Sequence, residues 1–196
     1  MKKIIVYTHS DCLLKDNGPK HPEKKERLQI ILKSIQDIRS IDIEIKNAPL
    51  AEVNSIYLIH PATYIKNIFS LIPNSGLMWV EKEPYADTFL CSNSKNAILR
   101  SCGAGIAAAD RVINDTEKRI FCAVRPPGHH AETVRANGFC FVNNVAVTAR
   151  YLQNKYKIKK IAIIDFDVHH GNGTQEIFFK DKTIFTKLAK NQVVFF

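Results

Sequence analysis

Two short apolar runs, each leading into a cluster of polar side chains, constrain this chain more than any other feature. Ile120-Phe121-Cys122-Ala123-Val124 and Ile161-Ala162-Ile163-Ile164 are uninterrupted and of strand length. Such runs read as strands buried on both faces. Between them, Asn143 and Asn144 can cap a helix in which Val145, Ala149, Leu152 and Tyr156 recur at i, i+4, i+7 and i+11. Lys157-Ile158-Lys159-Lys160 closes that helix. Strand, helix, strand is a βαβ unit, so the two strands are expected to run parallel and to be neighbours. The working residues of such a sheet collect at the carboxyl ends of its strands.

The remaining patterns fit the same α/β class. Lys3 to Tyr7 reads as a strand, and Ile41 to Ile45 as an edge strand. Glu23 to Arg39 carries Leu28, Ile31, Leu32 and Ile35 at helical spacing, and a second helix follows His60-Pro61 with Tyr64, Ile65, Ile68 and Leu71. Residues 72–93 are irregular, and a long helix is expected from about Ser94 to Ile113. No repeat or Gly/Ser linker divides the 196 residues, so one domain is expected over 1–196. The net charge of +9 could attract phosphate, but the lysines are scattered and no aromatic-basic platform accompanies them, which argues against nucleic-acid binding. Five cysteines without C-x-x-C spacing fit a reducing, cytoplasmic setting. No apolar stretch approaches a membrane span of ~18 residues.

Chemistry gathers after both apolar runs. The first leads into Arg125-Pro126-Pro127-Gly128-His129-His130, the second into Asp165-Phe166-Asp167-Val168-His169-His170-Gly171-Asn172-Gly173. Four of the seven histidines thus lie at one edge of one βαβ unit. Strand alternation would send Asp165, Asp167 and His169 to one side and turn Phe166 and Val168 into the packing. Carboxylates and an imidazole held together are costly without a counter-ion, and a divalent cation such as zinc, or iron in its place, relieves that cost. His129 and His130 sit on a Pro-Gly turn where they can face such an ion, and an imidazole there can move a proton. Each needs a partner on its other nitrogen, for which Asp165 and Asn172 are the nearest polar groups. Cys140, flanked by aromatics, reads as packing rather than a nucleophile.

On these residues the chain resembles the histone deacetylase family, which includes acetylpolyamine amidohydrolases and acetoin-utilisation proteins. Four stretches carry the match: Gly18 to Glu23 with Arg27, Asp87-Thr88-Phe89, Arg125 to Ala131 with Asn137 to Phe141, and Asp165 to Gln175. Asn172 marks a class II-like sequence. The resemblance implies a three-layer α/β/α sandwich around a parallel sheet, of the arginase/deacetylase type. It implies that Asp167 and His169 are two of three zinc ligands and that His130 is the general acid/base, oriented by Asn172. It makes His129 the electrostatic partner held by Asp165, and Gly138 and Phe139 the wall of an acyl-lysine channel. A structural potassium ion near Asp165, Asp167 and His169 is also implied. The implied reaction is zinc-assisted hydrolysis of an N-acetyl amide, on acetyl-lysine or an acetylpolyamine.

The family pattern has a third Asp ligand on a later loop and a late Gly-Gly-Tyr, neither of which appears here: none of the eight glycines adjoins another. Asp181 to Phe185 still resembles the start of a further strand, whereas residues 186–196, ending in Val193-Val194-Phe195-Phe196, do not match. The expectation is therefore a domain incomplete at its C-terminus, with a divergent tail over 181–196 and little or no deacetylase activity alone. The other expectation is a non-catalytic remnant, or one half of a split enzyme completed by a C-terminal fragment.

Overall fold

The computed structural model describes residues 3–80, 87–115 and 118–188. The apolar terminus Val193 to Phe196 lies outside the described residues. In chain order the elements are β1 (Lys3–Thr8), α1 (Asp11–Leu14), α2 (Lys25–Asp37), β2 (Asp42–Asn47), α3 (Val53–Ile56), α4 (Ala62–Ser70), β3 (Met78–Trp79) and β4 (Phe89–Leu90). They continue with α5 (Ser94–Asn114), β5 (Ile120–Cys122), α6 (Asn144–Tyr156), β6 (Ile161–Asp165), α7 (Asn172–Phe178) and β7 (Ile184–Leu188).

Parallel pairing dominates. β2, β1 and β5 form one parallel sheet in that order, with Val6 opposite both Ile45 and Phe121. β6 and β7 form a second parallel pair, Ile161 opposite Ile184. The strand that Asp181 to Phe185 foreshadowed is β7. β3 and β4 make a short antiparallel ribbon that fell within the stretch read as irregular.

The βαβ expectation needs a correction here. β5 and β6 are parallel strands of their respective sheets but are not neighbours: β5 pairs with β1, and β6 with β7. Each therefore has one hydrogen-bonded strand neighbour among the described residues. Their faces are correspondingly open. Ile164 is 66% exposed and Phe121 is exposed too, where runs buried on both faces had been expected. An apolar run identifies a strand that some layer covers, without saying which chain segment supplies the layer.

Helices cover what is buried. α5 carries Ile98, Leu99 and Cys102 into a core with Ile56, Ile65, Ile68, Leu90 and Phe141. Gly103 permits the approach of α5 to the 49–51 backbone, since a Cβ there would lie 2.1 Å from the Pro49 carbonyl oxygen. α6 is capped as expected: the Asn143 side chain accepts from the Ala146 N–H at 3.1 Å. Of its buried residues, Ala146 and Ala149 pack toward Ile163, Phe178 and Ile184, and Val147 joins the core that holds Ile98 and Phe141. The stripe read from sequence differs, since Val145 at its head is 40% exposed. α2 begins at Lys25 rather than Glu23. Glu23 is instead buried in an ion pair with Arg125.

Candidate active site

The site lies past the carboxyl ends of β5 and β6, on the loop that opens at Arg125 and on the segment between β6 and α7. The first loop is anchored from below. Arg125 donates to both carboxylate oxygens of Glu23 through Nε and Nη2, the latter at 2.8 Å, and through Nη1 to the Cys12 carbonyl at 2.8 Å. The Arg125 guanidinium and the Glu23 carboxylate are almost wholly enclosed. Further along, Asn143 Nδ2 donates to the Ala131 carbonyl at 3.2 Å and to Thr174 Oγ1 at 3.1 Å. The loop and the start of α7 are thus fastened to one buried side chain.

These anchors present two imidazoles side by side, their centroids 4.0 Å apart. His129 Nδ1 meets Asp165 Oδ2 at 2.8 Å, bridging the carboxyl ends of the two sheets. Burial alone would push the Asp165 carboxyl up, but the His129 hydrogen bond, the Asp167 N–H and the nearby imidazoles outweigh it and hold the group below its ordinary value. His130 Nδ1 meets Asn172 Oδ1 at 2.6 Å. Asn172 in turn donates from Nδ2 to Glu132 Oε1 at 3.0 Å, which fixes its amide with the oxygen toward His130. His130 Nδ1 is therefore the protonated nitrogen, and Nε2 is left as the proton acceptor. Burial is the largest influence on this ring and holds its pKa below the ordinary histidine value, keeping it a neutral base.

Asp167 and His169 stand at the outer side. His169 donates its backbone N–H to Asp167 Oδ1 at 2.8 Å, and its Nδ1 lies 3.2 Å from the same oxygen. Burial raises the Asp167 carboxyl, while the His169 N–H and the His129 charge bring it to a net value below the ordinary one. His169 and His130 have centroids 6.1 Å apart. All four chemistry-bearing positions of the two segments are therefore gathered at one edge.

One local reading is corrected. Phe166 and Val168 do not turn into the packing: they are 86% and 63% exposed. β6 ends at Asp165, so strict alternation no longer governs the residues after it.

Asp167 and His169 are the right donor types for zinc or iron and touch one another. Their number is short, however: among the described residues no three His, Cys, Asp or Glu side chains converge as a metal-holding group. A catalytic zinc takes three protein ligands and a water.

Gly138 and Phe139 form the adjoining wall. Gly138 has φ +51°, and a Cβ there would lie 2.4 Å from His130 Cδ2, so the wall closes on the imidazole only because this residue is glycine. Phe139 also has a positive φ, 69°. Its N–H donates to Thr88 Oγ1 at 3.1 Å, and its ring meets His21 edge-on at 4.6 Å. His21 Nε2 lies 2.9 Å from the Asp87 carbonyl oxygen. His21, Thr88, Glu132 and the Glu23–Arg125 pair had no role derivable from spacing. The sole signal was that most of them lie in the stretches that carried the resemblance.

A parallel α/β fold with a His-His and Asp-x-Asp-x-His constellation at its strand ends defines a histone deacetylase type of architecture. Residues 21–188 match the histone deacetylase domain, and the chain belongs to that family. It is 35% identical to "Histone deacetylase 10, chloroplastic" of Oryza sativa subsp. japonica, over 92% of this chain and 44% of that protein. It is 31% identical to a "Probable deacetylase" of Archaeoglobus fulgidus, over 92% of this chain and 49% of that one. The crystal structure of the HDA15 HD domain superimposes with a TM-score of 0.84 at 29% identity, over 95% of this chain and 53% of that chain. The chain thus spans less than half the length of these two curated relatives and about half of the structural one.

Proposed function

We propose that this chain carries the proton-transfer and part of the metal-binding machinery of a deacetylase-type hydrolase acting on N-acetyl amides, acetyl-lysine or an acetylated polyamine. One observation carries the reading: His130, fixed as a neutral base through Asn172 and Glu132, stands beside the Asp167–His169 pair. Zn2+, or Fe2+ in its place, would be held by Asp167 and His169 together with donors from outside the described residues. Bound there, it would supply Lewis-acid polarisation of the amide carbonyl and of water.

The chain's own residues account for the rest. His130 accepts a proton at Nε2 and returns it to the departing amine, its Nδ1–H held throughout by Asn172. His129, hydrogen-bonded to Asp165 and lying beside that ring, is its electrostatic partner. Gly138 and Phe139 form one wall of a slot for an extended acyl chain, and His21 braces that wall. The structural potassium ion of the resemblance belongs to the same proposal, near the Asp165 backbone.

Two donors bind a metal far more weakly than three, so the described residues by themselves make a weak metal site. A cytoplasmic setting fits the five cysteines, all free thiols. No helix among the described residues is long and apolar enough to cross a membrane. The test is hydrolysis of an acetyl-lysine peptide and of acetylspermidine by the chain joined to the portion of the HDA15 domain it does not match, with Zn2+ present. Turnover should fall by ~10²–10⁴-fold in His130→Ala. Turnover indifferent to His130→Ala refutes the reading, and absence of any hydrolysis favours a non-catalytic module.

A further inference from the structure

Cys140 follows directly on the Gly138–Phe139 wall, and its side chain is completely enclosed. Burial pushes its thiol pKa up to about 12, so it is an S–H group at any physiological pH and no nucleophile. A buried thiol that only fills space needs no polar partner. Cys102, on α5, is of that kind, with burial the one influence on it. Cys140 differs. Its Sγ donates to the Gly138 carbonyl at 3.3 Å. The backbone N–H groups of His130 and Ala131 point at the same sulfur. Ala131 has a further acceptor in the Gly128 carbonyl, at 3.0 Å. One atom thus sits between the wall and the backbone of the base, with a hydrogen-bonding contact to each.

The wall needs such a hold. Asn137 N–H donates to the Cys140 carbonyl at 3.0 Å, and Cys140 N–H to the Asn137 carbonyl at 2.9 Å. The two residues between them both have positive φ, 51° at Gly138 and 69° at Phe139, the pattern of a type I′ turn. Glycine adopts that conformation freely. An aromatic residue does so at a cost, and such strain persists only where the surroundings over-determine it. Three contacts do so here. The pair of backbone bonds closes the turn, Thr88 Oγ1 accepts from the Phe139 N–H at 3.1 Å, and the Cys140 thiol holds the Gly138 carbonyl. Of the three, the thiol is the one that also reaches the His130 backbone. The tie matters because the turn and the imidazole are so close: a Cβ on Gly138 would lie 2.4 Å from His130 Cδ2.

We infer that Cys140 is a positioning residue for this site: its thiol ties the strained Phe139 turn to the backbone of His130 and so fixes the distance between the acyl-chain wall and the proton-transferring base. The inference rests on the deacetylase reading only for what the wall and the base are used for; the tie itself is geometry. A serine hydroxyl keeps a donor and lone pairs at the same point with a shorter reach. Alanine keeps neither, and valine fills the space without either. The ranking of these three variants therefore separates a hydrogen-bonding thiol from a packing one.

The experiment uses this chain alone and has two parts. Infrared difference spectra against Cys140→Ser isolate the Cys140 S–H stretch, and those against Cys102→Ala give the reference thiol. The Cys140 band should lie at lower frequency, as a donated S–H does; equal frequencies overturn the inference. In the second part, Cys140→Ala and Cys140→Val should shift the His130 ring resonances and speed exchange of the His130 amide by at least ~10-fold, while Cys140→Ser should bring both back to within about twofold of the unmutated chain. If serine disturbs the ring and amide as much as alanine does, or if valine leaves them unchanged, the thiol is packing and the inference fails. Should the alanine variant not fold, the infrared comparison decides. None of these readouts requires hydrolysis, so failure of the deacetylase reading leaves them untouched, and their failure leaves that reading standing.

Discussion

Removing the charge of Glu23 should destabilise this chain more than any surface substitution, and should do so in a pH-dependent way. Glu23 is 2% exposed and faces two cations in the same enclosed cluster. Arg125 holds both of its oxygens, and Asn17 Nδ2 adds a third bond at 2.5 Å to Oε2. Lys15, 1% exposed, donates to Asn17 Oδ1 and, at 3.1 Å, to the Phe89 carbonyl. Glu23→Gln keeps the shape and leaves two buried cations without their carboxylate. Breaking a buried pair from one side costs ~3–5 kcal/mol. At ~2–4 °C per kcal/mol for a chain of this size, the melting temperature should fall by ~6–20 °C. Lys15 supplies the pH signature. Burial pushes its pKa down to about 8, against the pull of Glu23. The unfolded lysine titrates near ~10.4, so between about 8 and that value the unfolded chain binds more protons and stability rises with pH. Without Glu23 the ammonium loses its proton at still lower pH. The penalty of Glu23→Gln should therefore be largest near pH 6 and shrink by pH 9. Urea unfolding of both proteins at the two pH values, with unchanged m, measures it. A penalty below ~1 kcal/mol, or one that is flat with pH, refutes the reasoning.

Other outcomes follow from the same geometry. His60 is buried and neutral, its Nδ1 3.0 Å from the Thr133 carbonyl and its Nε2 accepting from Asn143 N at 3.0 Å; burial holds its pKa down. Stability should therefore fall as pH drops below the unfolded value of ~6.5 toward the lower folded one, and His60→Asn should flatten that part of the acid limb in calorimetry. Asn172→Ala should release the His130 ring, so that imidazole nitrogen NMR shows a mixture of tautomers in place of the Nδ1–H form; an unchanged spectrum would mean that Asn172 does not set the tautomer. Gly138→Ala should cost ~1–3 kcal/mol and displace His130, read as a shift of its ring resonances. Zinc titration of the chain alone should show weak uptake, lowered by at least ~10-fold in Asp167→Ala, whereas a tight stoichiometric site would reveal donors beyond the pair described.

The sequence was most informative where periodicity and chemistry coincided. The βαβ segment, the Asn143 cap and the gathering of His129, His130, Asp167 and His169 at one edge all follow from patterns of a few residues. What stayed hidden depends on contacts distant in the chain. Glu23 meets Arg125 across 102 positions and His60 meets Asn143 across 83, and no local pattern marks either pair. The orientation of Phe166 and Val168 was hidden for another reason, because alternation holds only as far as the strand does, and β6 stops at Asp165.

The strand neighbours were misjudged for a reason that bears on the function. Sequence adjacency makes β5 and β6 natural partners, and most crossover units oblige. Here the two strands share no ladder and are joined past their carboxyl ends, through the His129–Asp165 bond, the His130–Asn172 bond and the Thr174 N–H to the His129 carbonyl, while Val145 of α6 lies between them. The catalytic groups are therefore assembled across a gap rather than along a continuous sheet. Their spacing is set by the bonds that cross it: Asn172 to His130, Asn143 to Ala131 and Thr174, and the Thr133 N–H and hydroxyl to Glu176.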